Sequence, residues 1–278
     1  MKLKLFCLAS LSCCAFPASA GAQAMPEVAH PPILWESAEV AERSMPWWPW
    51  IASAGLLGAT LSLDLAVDTS TPRWRGVGPI DGAFGSWTAS TIEGRRRAFI
   101  ASDVILAAVF AMPVADAIFW PVPAGQSRSG TTYRLLAMDT LAFSFTTFVS
   151  IATKHITRRA RPYAGPCMAD SEHDATCGSS QENQSFASGH AAAAFTGASL
   201  VCTHQRLRGR TLRGHFACSS ALAMASFVAA LRVVAERHYV SDVVVGAAIG
   251  FVSGYLLPAL FWRPRAPTPA AALGAAAW

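Results

Sequence analysis

The sequence predicts an all-α fold, a polytopic membrane bundle of about six helices. Hydrophobic residues make up 53% of the 278 residues and charged ones only 14%, where soluble domains carry nearer a quarter. Six apolar stretches follow one another, at 47–67, 99–120, 135–153, 187–202, 216–234 and 240–262, and a bilayer crossing needs about 20 mostly apolar residues. A tryptophan cluster at the edge of the first suits the aromatic belt of a membrane–water interface.

Taken in order, residues 1–24 read as an export signal. Lys2 and Lys4 open it, an apolar core spans 5–16, and Ala18-Ser19-Ala20 or Ala22-Gln23-Ala24 offers the cleavage site. An uncleaved anchor is the alternative. Residues 25–46 are polar and proline-rich, and the helical domain covers 47–262. The second stretch carries Asp103 and Asp116, and the fourth is short, so either could be a buried helix instead of a span. Gly246, Gly250 and Gly254 recur every fourth residue in the sixth, which lets another helix approach closely. The proline- and alanine-rich tail at 263–278 is expected to be disordered.

Of the seven cysteines, Cys7, Cys13 and Cys14 fall in the signal. Cys202 and Cys218 sit in apolar runs and read as packing residues. Cys167 and Cys177 flank a polar loop, where a disulfide is expected if the loop faces an oxidising compartment. No cysteine or histidine spacing suits a metal, and no basic-aromatic module suits nucleic acid, despite a net charge of +5.

Three clusters could carry chemistry. In "TKHITRRARPY", Lys154 and Arg161 stand two helical turns apart and share a face if the helix continues to Pro162. Two cations there can clamp an anion, with arginine's planar fork matching phosphate oxygens; alone, they could equally mark a helix end that snorkels to headgroups. In "FASGH", Ser188 can cap the following helix, Gly189 lets a ligand approach the backbone, and His190 can exchange protons at an anion-attracting helix start. A capped helix with a satisfied histidine is the bland alternative. In "LRVVAERHYVSDVVVG", His238 and Asp242 are four apart, the spacing at which a carboxylate holds one imidazole nitrogen on a helix face. Arg232 lies six before His238 as a third phosphate ligand.

Together, Lys154-x6-Arg161-Pro162, Ser188-Gly189-His190 and Arg232-x5-His238-x3-Asp242 form an ordered three-part signature. It resembles that of the type 2 phosphatidic acid phosphatase (PAP2) superfamily, which includes vanadium haloperoxidases and bacterial acid phosphatases. The resemblance covers roughly 47–262 and points to the membrane lipid-phosphatase branch, with a PAP2/haloperoxidase-like core. Two positions depart from the family pattern: Ala187 stands where it has proline, and Leu231 where it has serine.

The resemblance implies a phosphatase that needs no cofactor or metal. His238 would be the nucleophile, Asp242 would orient it, and His190 would be the general acid. Lys154, Arg161, Arg232, Ser188 and Gly189 would bind the phosphoryl oxygens. Its partners would be membrane lipids, with a lipid phosphate or pyrophosphate as substrate. A soluble phosphomonoester, a vanadate-dependent haloperoxidase reaction, or a non-catalytic transport or scaffold role with a relic phosphate site remain alternatives.

Arg206, Arg208, Arg210 and Arg213 crowd the loop after the fourth stretch, and Arg263 and Arg265 follow the sixth. The positive-inside rule places that face in the cytoplasm, so the three clusters would face the periplasm from a bacterial inner membrane. A cleaved signal and three crossings would put them inside instead, and Arg73, Arg75 and Arg95–Arg97 also favour an inside first loop. The acid-bearing second stretch is therefore suspected of not spanning.

Overall fold

A computed structural model describes residues 47–119, 128–207 and 211–261. The expected signal, polar segment and tail (1–24, 25–46 and 263–278) lie outside the described residues. Within them the helices are α1 (Trp48–Ala66), α2 (Pro79–Ala83), α3 (Ile92–Phe119), α4 (Arg128–Thr157), α5 (Ala164–Ala169), α6 (Gly189–Leu207), α7 (Leu212–Val234), α8 (Val240–Phe251) and α9 (Leu257–Phe261). A π-helical turn, Val252–Leu256, joins α8 to α9. Pro49 lies in the first turn of α1, where its missing N–H has no intrahelical partner to lose.

Five helices are long and apolar enough to cross a membrane: α1, α3, α4, α7 and the stretch Val240–Leu260. The second apolar stretch is thus not the one that falls short, since α3 has 28 residues. Its acids are partnered. Asp116 accepts from Gln205 at 2.9 Å and lies 2.8 Å from His204, while Asp103 meets His190. The fourth stretch, α6, is not among the five. It is the central helix, in contact with α3, α4, α7 and α8.

Small residues bring the helices around α6 into contact. Ala194, Ala198 and Val201 of α6 bury against Val109 of α3 and Ala221, Ala225 and Val228 of α7. On its other side Leu200 and Leu207 meet Ala117, Leu135, Met138 and Ala142. His204 is fully buried between Asp116 of α3 and Asp139 of α4, at 2.8 and 2.9 Å, tying three helices together. A disulfide also joins Cys202 to Cys218 across α6 and α7; the two are bonded to each other, beyond the packing role expected of them.

The glycine repeat, which runs from α8 into the π-helical turn at Gly254, lies directly on α6. A Cβ at Gly246, Gly250 or Gly254 would run into the carbonyl oxygens of Ser188, Ala192 and Thr196 respectively. Such a stripe lets backbones approach closely where lipid tails supply no hydrophobic drive between helices. Thr203 of α6 uses the same proximity to donate to the Gly254 carbonyl at 2.9 Å.

Helix pairing sorts the loops into two ends. Trp50 near the start of α1 donates to Tyr133 near the start of α4, and Asp64 near the end of α1 meets His155 near the end of α4. The helices α1, α3 and α4 therefore alternate in direction. The loop 67–91 lies at the end where α4 finishes and α6 and α8 begin: Arg73 and Trp74 pair along Arg158–Ala160 through backbone hydrogen bonds of 3.1 and 2.9 Å. The start of α1, the end of α6 and the start of α7 lie at the opposite end. Arg73 and Arg75 thus share a face with the three clusters.

Gly250→Val places a branched side chain against the Ala192 carbonyl. It should destabilise the bundle by about 1–3 kcal/mol or more, read as a lowered unfolding midpoint in detergent, whereas Gly55→Ala on α1, with nothing within 4 Å of the added Cβ, should leave it unmoved.

Candidate active site

Helix α4 carries the first cluster and ends within it. Arg158 takes a left-handed conformation, φ 42°, and its N–H closes the last turn onto Lys154 O at 2.8 Å. Lys154 is therefore helical, while Arg161 lies beyond the helix. The expected shared helix face does not exist; the chain reverses and brings Arg161 back. The Arg161 N–H donates to Glu182 O at 2.7 Å, and its guanidinium reaches Gln184 O at 3.4 Å. Neither Lys154 nor Arg161 is ion-paired among the described residues.

The second cluster opens α6. Ser188 is fully buried, and its Oγ lies 3.4 Å from the Ala191 N–H, a long cap. Lys154 leans over Gly189: a Cβ there would stand 3.4 Å from its Nζ. Ala187, in the place of the family's proline, uses the hydrogen that proline lacks, since its N–H donates to Thr153 Oγ1 at 3.3 Å. Nothing in the structure explains Leu231.

His190 meets a carboxylate that the sequence reading did not place in the site. Its Nε2 lies 2.9 Å from Asp103 Oδ1 of α3. The same oxygen accepts from Arg232 Nη1 at 3.3 Å, and Arg232 also donates to Ser102 Oγ at 3.1 Å. Asp103 thus couples the histidine of the second cluster to the arginine of the third. The signal was present, because an acid inside an apolar stretch is costly without a partner, but the sequence does not name the partner.

The third cluster departs from the expected pairing. His238 lies in the turn before α8, not on a helix face shared with Asp242. Its Nδ1 lies 2.7 Å from the Ser185 carbonyl, which can only accept, so Nδ1 carries the proton and Nε2 holds the free lone pair. Asp242 Oδ2 stands farther off, at 3.7 Å. The carboxylate reaches the imidazole through Ser185, whose hydroxyl donates to Asp242 Oδ2 at 2.5 Å while its carbonyl holds His238. Asp242 also caps its own helix, accepting from the Tyr239 N–H at 2.9 Å.

Behind Asp242 lies Arg159, fully buried. It donates to Asp242 Oδ1 and to Asp81 Oδ2, both at 2.6 Å, and to Ser241 Oγ at 2.7 Å. Its guanidinium is stacked between Trp74 and Tyr239, at 4.0 and 4.1 Å from the ring centroids. Asp81 in turn accepts from the Ser241 N–H at 2.9 Å. A chain of contacts therefore runs from Asp81 in the loop 67–91 through Arg159, Asp242 and Ser185 to His238. Of these connecting residues the sequence pointed only to Asp242; Arg159 looked like one more arginine in "TRRARP".

The electrostatics follow from this crowding. Burial first, then the positive charges of Arg161, Arg232, Lys154 and His190, hold His238 well below the ordinary imidazole range. Burial likewise pulls Arg161 down. A neutral imidazole with one free nitrogen, set among three cations, is arranged to meet a multiply charged anion.

The polar loop over this end is stapled by a disulfide between Cys167 and Cys177. Arg237, beside the histidine, anchors to that loop through Asp174 at 3.0 Å and Thr176 at 3.0 Å.

Residues 135–266 match the family model of the PAP2 superfamily. No curated protein and no solved structure matches the chain. The matched range holds all three clusters and Arg159 and Ser185, while Asp81 and Asp103 precede it.

Arg159→Leu would strand Asp81 and Asp242 in the interior and should cost about 3–5 kcal/mol, the usual result of breaking a buried pair from one side. Ser185→Ala removes only one hydroxyl from Asp242 and should cost roughly 1–3 kcal/mol. Thermal unfolding in detergent checks both values and their order.

Proposed function

We propose that this protein is a metal-independent phosphatase that hydrolyses a lipid phosphate through a phosphohistidine intermediate, with its site on the periplasmic face of a bacterial inner membrane. The observation that carries the reading is the His238 imidazole, tethered at Nδ1 and free at Nε2 beneath Lys154, Arg161 and Arg232. The match to the PAP2 superfamily supports a phosphatase-type activity. Five helices suited to a bilayer support a membrane-held substrate.

In this reading the phosphoryl oxygens lie among Lys154, Arg161 and Arg232, with the backbone around Ser188 and Gly189 as further donors. Those groups neutralise the charge of the transition state, the role metal ions take in other phosphatases. His238 Nε2 attacks phosphorus. As the N–P bond forms, the bond to the leaving oxygen breaks and protonated His190 gives that oxygen its proton. His238 keeps its Nδ1 proton on Ser185, so the phosphohistidine carries a positive ring, balanced through Ser185 by Asp242. Water then attacks phosphorus. His190, now neutral, takes the water's proton, the N–P bond breaks, and inorganic phosphate leaves with both histidines restored.

Asp103 serves this cycle twice: its charge opposes the burial and the neighbouring Arg232 that pull His190 down to about 4, and it holds Arg232 beside the phosphate. Ser185 and Arg159 are positioning residues, acting on phosphate only through His238.

The periplasmic placement is supported by Arg206 at the end of α6 and Arg213 at the start of α7, at the opposite end. Several arginines at the site end are already engaged: Arg95 with Glu236 at 3.6 Å, and Arg97 with Glu93 at 2.8 Å. Disulfides lie toward both ends, so cysteine pairing does not choose between the faces.

His238→Ala should abolish phosphate release and the acid-labile phosphoenzyme trapped from a labelled substrate. His190→Ala should lower kcat by about 10²–10⁴-fold on an alkyl phosphate, the usual contribution of a general acid, and far less on p-nitrophenyl phosphate, whose leaving group needs no proton. Equal losses on both would overturn the assignment of His190.

The pH profile tests His238 separately. A pKa held below the ordinary range leaves the nucleophile neutral at pH 7, and activity falls only as pH drops through that lowered value. Arg161→Gln removes the largest charge acting on it, so its pKa rises and the acid limb of kcat/KM should move to higher pH.

A further inference from the structure

The segment 67–91, which joins α1 to α3, has the wrong polarity for a loop in water. Of its residues only Thr69 and Asp81 are buried, and both are polar. Val77, Ile80 and Trp87 stand 58%, 62% and 57% exposed. Single exposed apolar residues are ordinary, but a segment that buries its acid and turns its apolar groups outward needs an apolar environment outside it.

Its path supplies that environment. The segment runs around the site end of the bundle. The Arg73 N–H donates to Arg158 O after α4 at 3.1 Å, and the Ala89 N–H to Val234 O at the end of α7 at 3.0 Å. Between them Asp81 accepts from the Ser241 N–H at the start of α8 at 2.9 Å. Helices α1 and α3 at its ends, and the stretch Val240–Leu260 beside α2, are all suited to cross a bilayer. Val244, one turn beyond Ser241, is already exposed, so a lipid-facing surface begins directly beneath α2.

Charges for a headgroup lie at the same level. Arg73 and Arg75 flank Trp74 and are exposed, and Arg75 has no partner among the described residues. The acids nearby are engaged: Asp64 with His155 at 3.2 Å, Asp68 with Ser70 at 2.7 Å, and Asp81 with Arg159 at 2.6 Å. Arginine beside tryptophan suits an anionic headgroup above the acyl boundary.

The segment is also the outermost support of His238. Trp74 stacks on the Arg159 guanidinium at 4.0 Å, and Asp81 binds it. Beneath the segment a cavity of about 250 Å³ separates Val77 and Phe84 from His238 and Tyr239, so little packing from inside fixes its position.

We propose that residues 73–87 form an interfacial anchor for anionic phospholipid. Val77, Ile80 and Trp87 seat in the leaflet at the site end, Arg73 and Arg75 bind the headgroups, and this seating holds Trp74 and Asp81 on Arg159. The bound lipid is a phosphodiester at the outer surface of the protein and is not the substrate. Only the activity readout below rests on the phosphatase reading.

The test places the full chain in nanodiscs of phosphatidylcholine alone or of an equal mixture with phosphatidylglycerol. Backbone hydrogen exchange in residues 73–87 should slow by about fivefold or more in the mixture, the worth of one arginine at an anionic surface. Arg75→Gln should remove most of that slowing and Arg75→Lys should keep it. Hydrolysis of p-nitrophenyl phosphate, a soluble substrate, should have a kcat about fivefold higher in the mixture for wild type and equal in the two lipids for the Arg73→Gln/Arg75→Gln double variant. Exchange that is the same in both lipids overturns the anchor. Slowing that follows protein concentration instead of lipid charge gives the face to a second copy and overturns it too. Exchange that responds to lipid while wild-type kcat does not overturns the link to Arg159. Hydrolysis that survives His238→Ala overturns the phosphatase reading instead and leaves the exchange result standing.

Discussion

The contact on which the rest of the site depends is the buried bridge from Arg159 to Asp81 and Asp242. A guanidinium with no access to water is tolerable only when its charge is matched and its donors are used. Here two carboxylates and a serine hydroxyl take up its Nη donors, leaving Nε without a partner among the described residues, while two aromatic rings close its faces. The arrangement joins three distant parts of the chain: the loop 67–91, the segment after α4, and the start of α8. Asp242 is thereby committed to Arg159 and Ser185, which is why it stands back from His238 and acts on it through Ser185.

Close helix packing provides the platform for this bridge. The α8 glycines let α8 lie against α6, so the starts of the two helices, with Ser188–His190 on one and His238–Asp242 at the other, come together at one end. The Ser188 N–H donates to the Asp242 carbonyl at 3.1 Å across that junction. Side chains at Gly246 would push apart the backbone that delivers His190 and His238 to the same place. The buried His204 and its two aspartates fix the other end of α6, so the central helix is held at both ends by polar contacts and along its length by small apolar ones.

Much of this was legible in the linear chain, and the rest for definite reasons was not. The apolar runs, the glycine repeat and the three clusters are patterns in residue type and spacing, which survive without coordinates. The acid-bearing second stretch is suspected of not spanning when read locally, because Asp103 and Asp116 then count as unpaired charges, yet it forms a helix long and apolar enough to span. Their partners His190 and His204 are nearly ninety residues away, so their neutralisation cannot be seen locally. Lys154 and Arg161 were expected on one helix face because spacing alone assumes that the helix continues; a left-handed Arg158 ends it. Ser185 carried no signal, since its part rests on a backbone carbonyl and a hydroxyl that many serines could offer.

The sequence by itself determined the class of the protein and the identity of the charged and histidine groups at its centre. Side-chain chemistry and helical periodicity are local properties, and they suffice for a helical membrane bundle with three cations, two histidines and an aspartate in order. Only the tertiary structure decided how those groups are wired: which nitrogen of His238 is free, that Asp103 joins His190 to Arg232, that Arg159 rather than His238 holds Asp242, and that His190 is partly exposed while His238 is enclosed. Each of these depends on a distance between residues far apart in the chain, and hydrogen bonds and buried ion pairs are decided over a few tenths of an ångström.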